Sequence, residues 1–201
     1  GPQWMNGQEV AFRLMAFVWA AQVFSDSSES TNQRKERLTQ SVTEHAIRIT
    51  PTLLYARSQN NNHLTSEAAG LYTAALALPD HPEAGKWRKL GIKWLNWSFE
   101  NQIDEKGEYI QHSVNYHRLM LQFGLWLSAL TTKGHDVYEE KTELSASSCP
   151  SWITKKAQQK LANATRWLAE LTDPPSGNAP NLGANDGAYI FPLANGDFRD
   201  F

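Results

Sequence analysis

Apolar residues recur at three- and four-residue intervals along most of the chain, separated by short polar stretches, and this periodicity predicts helices. "NGQEVAFRLMAFVWAAQVF" sets Val10, Leu14, Phe17 and Ala21 on one face, with Asn6 placed to cap a first helix and Glu9 at its third position. After the polar break "SDSSESTN", the stretch "QRKERLTQSVTEHAIRITPTLLYAR" keeps Leu38, Val42, His45 and Ile49 at helical spacing, until Pro51 kinks or ends a second helix running toward Arg57. A third helix follows an asparagine cluster to about Leu78, and "PDHPEAG" turns the chain into a fourth that reaches about Gln102. "DEKGEY" turns it again. Leu119, Phe123 and Trp126 form one stripe of a fifth helix from Ser113 to about Leu130, and a sixth spans roughly Ser151 to Leu171. Residues 131–148 are polar, with little to bury, and read as a surface loop. Residues 172–201 carry Pro and Gly at a density no helix tolerates, so they read as an irregular closing segment tied down by aromatics.

The fold class is therefore all-α. Antiparallel helices on short turns can close into a bundle, a solenoid or a toroid, and periodicity does not choose among them. No clean repeat at 30 to 45 residues appears, which weighs against the common helical repeat families.

Composition narrows the function classes. A length of 201 residues suits one domain over 1–201 with a real hydrophobic core. The single cysteine, Cys149, excludes an internal disulfide and leaves the compartment open. A net charge of −2 argues against a general nucleic-acid binder, and no run approaches the ~20 apolar residues of a membrane span. Neither nucleic acid nor membrane is an expected partner. Of the eight tryptophans, Trp87, Trp94 and Trp97 fall on one helical stripe and read as core, while Trp4 and Trp152 are candidates for stacking a sugar ring.

The candidate chemistry begins at "SQNNNHLTSEAAGLY", Ser58 to Tyr72. Asn62 is a reasonable N-cap for the third helix, and the residue three further on is Thr65, so no reciprocal capping box forms and His63 and Glu67 have no capping role. Glu67, four after His63, either orients its ring by a hydrogen bond or pairs with it on a metal; orientation is favoured, because no cysteine or second histidine cluster supports a zinc site. No metal and no cofactor are expected. Arg57, just before the cluster, can bind a carboxylate or sulfate by a bidentate fork. Tyr116 is flanked by His112, His117 and Arg118, and on a helix His112 would share its face.

Three stretches, "NGQEVAFRLMAFVWA", "NNNHLTSEAAGLY" and "EYIQHSVNYHRLMLQ", together resemble the heparinase II/III family of polysaccharide lyases. In that family an asparagine-histidine pair opens one helix and a serine-x-x-tyrosine pattern opens the next hairpin. The resemblance puts Asn62-His63 and Ser113-Val114-Asn115-Tyr116 in those places, 54 positions apart from Asn62 to Tyr116. The later "PNLGANDGAYIFPL" is similar to the stretch that closes the family's cleft, which brings in Asn185 and Asp186, otherwise read as part of a turn.

What the resemblance implies is an incomplete α/α toroid of antiparallel helical hairpins, part of a longer chain whose antiparallel β-sandwich completes the cleft. The implied reaction is β-elimination on a uronic-acid glycan, heparan-like or alginate-like. Asn62, His63 and Tyr116 would be catalytic, and Arg57, Glu67, His112, His117, Asn185 and Asp186 would bind substrate. The implied partner is an acidic polysaccharide or oligosaccharide, the implied compartment periplasmic or secreted, and the 201-residue piece by itself would be inactive or weakly active. Two other classes stay open. One is a glycan-binding or polysaccharide-assembly domain without turnover. The other is a glycosidase, which needs two carboxylates flanking the bond; Glu67, Glu108 and Asp186 are available, but no spacing pairs them.

Overall fold

The structure, a computed structural model, describes residues 6–133, 151–185 and 190. Its chain divides into two compact units, Gly1–Leu95 and Asn96–Phe201, the division falling within the fourth helix.

In the first unit lie α1 (Gly7–Val23), α2 (Asn32–Gln59), α3 (Asn62–Ala77) and the beginning of α4 (Ala84–Gln102). Asn6 caps α1 as its position suggested, its side chain accepting from the Gln8 N–H at 2.9 Å. The three complete helices all pack on one another around Val10, Leu14, Val42, Ile49, Leu64 and Leu71, each fully or nearly fully buried. Burying each leucine contributes about 2 kcal/mol. α3 is buried almost all round, from Leu64 to Ala75, and its small residues let neighbours close in. A methyl group at Gly70 would sit 2.8 Å from Ala11 Cβ.

Pro51 neither ends nor replaces α2, which continues eight residues further to Gln59. Proline removes the N–H that would bond the carbonyl of residue 47, and both Ile47 and Pro51 lie on the solvent side, so the loss falls where water can compensate. Trp87 and Trp94 are core, as their stripe predicts, whereas Trp97 is 37% exposed. Ten residues at 3.6 per turn leave Trp97 roughly 80° around α4 from Trp87, beyond the buried face.

The second unit holds the end of α4, α5 (Val114–Lys133), α6 (Lys155–Leu171) and the closing segment. Ile103 and Tyr109 form an isolated antiparallel bridge across the "DEKGEY" turn, where Asp104 Oδ1 accepts from the N–H groups of Lys106 (2.9 Å) and Glu108 (2.8 Å). α6 begins at Lys155 rather than near Ser151, because Thr154 is its N-cap and accepts from the Ala157 N–H at 3.1 Å. Asn96 holds the approach to that helix, donating to the Trp152 carbonyl (2.8 Å) and accepting from the Thr154 N–H (2.7 Å). Trp152 is consequently buried, 2% exposed, and is a packing residue rather than a sugar platform. Trp4 lies outside the described residues. So does most of the expected 131–148 loop; its first three residues, 131–133, are the end of α5.

The closing segment docks on the entrance to α5. The Val114 N–H donates to the Leu182 carbonyl (3.0 Å), Ser113 Oγ to the Ala184 carbonyl (2.7 Å) and Asn115 Nδ2 to Asn181 Oδ1 (3.0 Å). Gly183 sits between them at φ 78°, where a Cβ would lie 2.6 Å from the His112 carbonyl oxygen and 2.7 Å from Ser113 Cα. Gly183→Ala therefore combines a left-handed backbone with backbone overlap. It is expected to destabilise the protein by roughly 2–3 kcal/mol in a urea unfolding titration.

Candidate functional site

The three consecutive asparagines do three different things. Asn60 ends α2 in the left-handed conformation, φ 48° and ψ 52°, its N–H bonded to the Ala56 carbonyl at 3.2 Å. Asn61 is the N-cap of α3 and accepts from the His63 N–H at 3.0 Å. Asn62 is thus the first residue of the helix, not its cap as the sequence suggested. Relieved of capping, its side chain is buried and donates from Nδ2 to Gln8 Oε1 at 2.7 Å, joining the first turns of α3 and α1. His63 is half-buried on the next position of the same turn.

Glu67, one turn on, is 2% exposed. Its carboxylate turns away from the role expected beside His63 and lies against Thr52 of α2, 2.8 Å from Thr52 Oγ1, and against Gly7 at the start of α1. Gly7 makes room for it: a Cβ would lie 2.5 Å from the Glu67 carboxyl carbon and 2.7 Å from Thr52 Oγ1, so both side chains would have to shift. Thr52 Oγ1 is also 2.8 Å from the Ile49 carbonyl oxygen, so one hydroxyl hydrogen faces two acceptors. A protonated Glu67 resolves the shortage, since its O–H donates to Thr52 while Thr52 donates to Ile49. Burial accordingly pushes the Glu67 carboxyl up to about 7, against the opposing pull of the Thr52 hydrogen bond. Below about pH 7 the carboxyl is therefore mostly protonated and the cluster carries little negative charge at this position. Arg57 is exposed in the last turn of α2, its guanidinium 4.1 Å above the centre of the Trp94 ring.

The remaining candidates belong to the second unit. Tyr116 is half-buried in the first turn of α5, its N–H donating to Ser113 Oγ at 3.3 Å, so Ser113 serves both the helix entrance and the closing segment. His112 precedes α5 in a left-handed conformation (φ 47°), and the helical four-residue spacing to Tyr116 therefore does not hold. Its exposed ring pairs through Nδ1 with Glu108 Oε1 at 2.9 Å. His117, expected on the substrate side, is instead buried at 1% exposure, with Nε2 2.9 Å from the Ala164 carbonyl and its ring stacked on Trp167 at 4.6 Å. Burial, opposed by that backbone bond, lowers its pKa and favours the neutral ring of a packing residue. Asn185 is exposed, and Asp186 lies outside the described residues. Sequence reasoning missed Gln8 and Thr52. Neither stands near the asparagine cluster in the chain, and only packing brings them to it.

Among the described residues no group of three or more His, Cys, Asp or Glu side chains gathers as a metal site would, and no helix is long and apolar enough to cross a membrane. A family model described as Heparinase II/III N-terminus matches residues 3–146. The chain belongs to the heparinase II/III family. A heparin-sulfate lyase from Bacteroides stercoris is 30% identical over 109 residues, which cover 54% of this chain and 16% of that protein. Two solved structures of heparinase III, one with methylated lysines, each align with a TM-score of 0.62, at 21% and 22% identity. They cover 87% of this chain, which spans 24% and 25% of theirs. The likeness decides what periodicity left open: the helical hairpins are part of an α/α toroid. Within this heparinase II/III chain the matched range contains both the Asn62-His63 and the Ser113–Tyr116 motifs, while the late stretch beginning at Pro180 lies beyond it.

Proposed function

We propose that this chain is the helical part of a polysaccharide lyase that cleaves a uronic-acid glycan by β-elimination. The observation that carries the reading is the family match across both motif stretches, residues 3–146. A lyase must remove the weakly acidic C5 proton of the uronic acid and expel the 4-O group, forming a C4=C5 double bond. Charge flows into the adjacent carboxylate as the proton leaves, so prepositioned donors there lower the barrier. The Asn62 amide and the His63 ring fill that role. Tyr116 gives its phenolic proton to the departing oxygen and, where substrate stereochemistry requires, takes the C5 proton. Arg57 is the charged contact for a substrate carboxylate or sulfate, and Asn185 and Asp186 are further contacts at the closing segment.

A heparan-like polymer is favoured by the name of the Bacteroides stercoris relative, and the net charge of −2 leaves an alginate-like, unsulfated one on the panel. The compartment that fits such a substrate is periplasmic or secreted, and the partner within the full-length protein is a β-sandwich that completes the cleft.

The test is a panel of uronate polymers offered to the full-length protein, followed by ultraviolet absorbance of the unsaturated product. Absorbance without added cofactor is the expected result. New reducing ends without a double bond would identify a hydrolase, and binding without either product a glycan-binding domain.

A further inference from the structure

We infer that Gln8 is a positioning residue that fixes the orientation of the Asn62 amide; the inference rests on the lyase reading above. The two side chains are 54 positions apart in the chain, both are buried, and Asn62 Nδ2 donates to Gln8 Oε1 at 2.7 Å. An amide can rotate by half a turn and exchange its oxygen for its nitrogen at little steric cost, so a buried amide needs a neighbour that distinguishes the two. Gln8 presents its Oε1 to the Asn62 nitrogen, which sets the edge of Asn62 that carries N–H groups.

Gln8 is itself held. Its backbone N–H is taken by the Asn6 cap at 2.9 Å, in the first turn of α1. That turn is in turn keyed onto α3, because the absence of a side chain at Gly7 admits the Glu67 carboxyl, which a Cβ there would displace. Asn6, Gly7 and Gln8 thus form one device: a cap, a close approach and an acceptor, all serving the entrance of α3. In an elimination that needs a donor aimed at the substrate carboxylate, a misplaced amide presents its oxygen to a negative charge. The cost would appear in the transition state, where that charge grows.

The experiment uses the full-length protein and four variants: Gln8→Met, which keeps the length and loses the acceptor; Gln8→Glu, which keeps an acceptor oxygen; Asn62→Ala; and the double variant Gln8→Met/Asn62→Ala. Gln8→Met is expected to lower kcat/KM about tenfold, the usual scale for one well-placed hydrogen bond. Gln8→Glu is expected to recover activity to within about threefold of the parent. In the Asn62→Ala background the second change should have almost no further effect, because its target is gone. Full activity in Gln8→Met would overturn the inference, as would losses that simply multiply in the double variant or a Gln8→Glu enzyme as impaired as Gln8→Met. Asn62→Ala with parental kcat and KM would overturn the inference by removing Asn62 from the reaction, whereas a parent that eliminates no uronate polymer would sink the lyase reading itself, and the role of Gln8 with it.

Discussion

Tyr116→Phe in the full-length protein is expected to lower kcat by about a hundredfold or more, the usual contribution of a general acid or base. The change deletes one oxygen and keeps the ring. Tyr116 is half-buried, and what fixes the first turn of α5 is backbone and cap: the Tyr116 N–H on Ser113 Oγ and the Val114 N–H on the Leu182 carbonyl. Neither involves the phenol, so the first turn of α5 should survive the change, and the urea midpoint checks this. KM should move little, because the role proposed for the hydroxyl is on the leaving oxygen during bond breaking and not in ground-state binding. Steady-state kinetics on any polymer the parent cleaves checks the claim, and unimpaired elimination by the variant would remove Tyr116 from the mechanism.

Glu67→Gln should change the pH dependence of stability in a direction opposite to most carboxylate substitutions. The folded-state pKa is raised from 4.5 to about 7, so between those values the native protein holds a proton that the unfolded chain has released. Stability from this group is therefore greatest below about 4.5 and falls as pH rises toward 7, by roughly 3 kcal/mol in all. Glutamine is neutral throughout and can donate to Thr52 as the protonated acid does. The variant should match the parent near pH 4.5 and exceed it by roughly 1–3 kcal/mol above pH 7, read from urea unfolding at a series of pH values. His45 and His117 have lowered pKa values, mainly from burial, and pull the other way: their contribution is lost as pH falls. They are common to both proteins, and the difference between the two curves isolates Glu67. Parallel curves across this range would show that Glu67 is ionised in the native state.

The bond between Gln8 and Asn62 and the burial of Glu67 place the same demand on the chain. Both require the first turn of α1 to lie against α3, and Gly7 permits it. Protonation of Glu67 also removes a negative charge about one helical turn from Asn62 and His63, which are proposed to receive a carboxylate. Activity and stability should accordingly fall together as pH rises through about 7.

The helices were legible in the amino-acid sequence, because each rests on local signals that survive without a tertiary partner. The Asn6 cap, the Val10–Leu14–Phe17 face and the apolar stripe of α5 are each made by residues within a few turns of one another. The motif pairs Asn62-His63 and Ser113–Tyr116 were legible for the same reason, as short runs of adjacent letters, and they placed the chain in its family. How those letters are used depends on packing. Asn61 rather than Asn62 became the cap because two asparagines in succession can each accept from the first turn, and packing against Gln8 drew Asn62 inward. His112 lost its helical relation to Tyr116 because the closing segment docks at the start of α5 through Val114 and Ser113. His117 turned to Ala164 and Trp167 because α6 packs against that side of α5. Glu67, which by spacing belonged with His63, took Thr52 and Gly7, and its protonation followed from burial by helices α1 and α2. Local periodicity carries the information for hydrogen bonds made within about four residues; the orientation of a buried amide and the charge of a buried carboxyl depend on atoms fifteen to fifty-four residues away, which only the folded chain brings into contact.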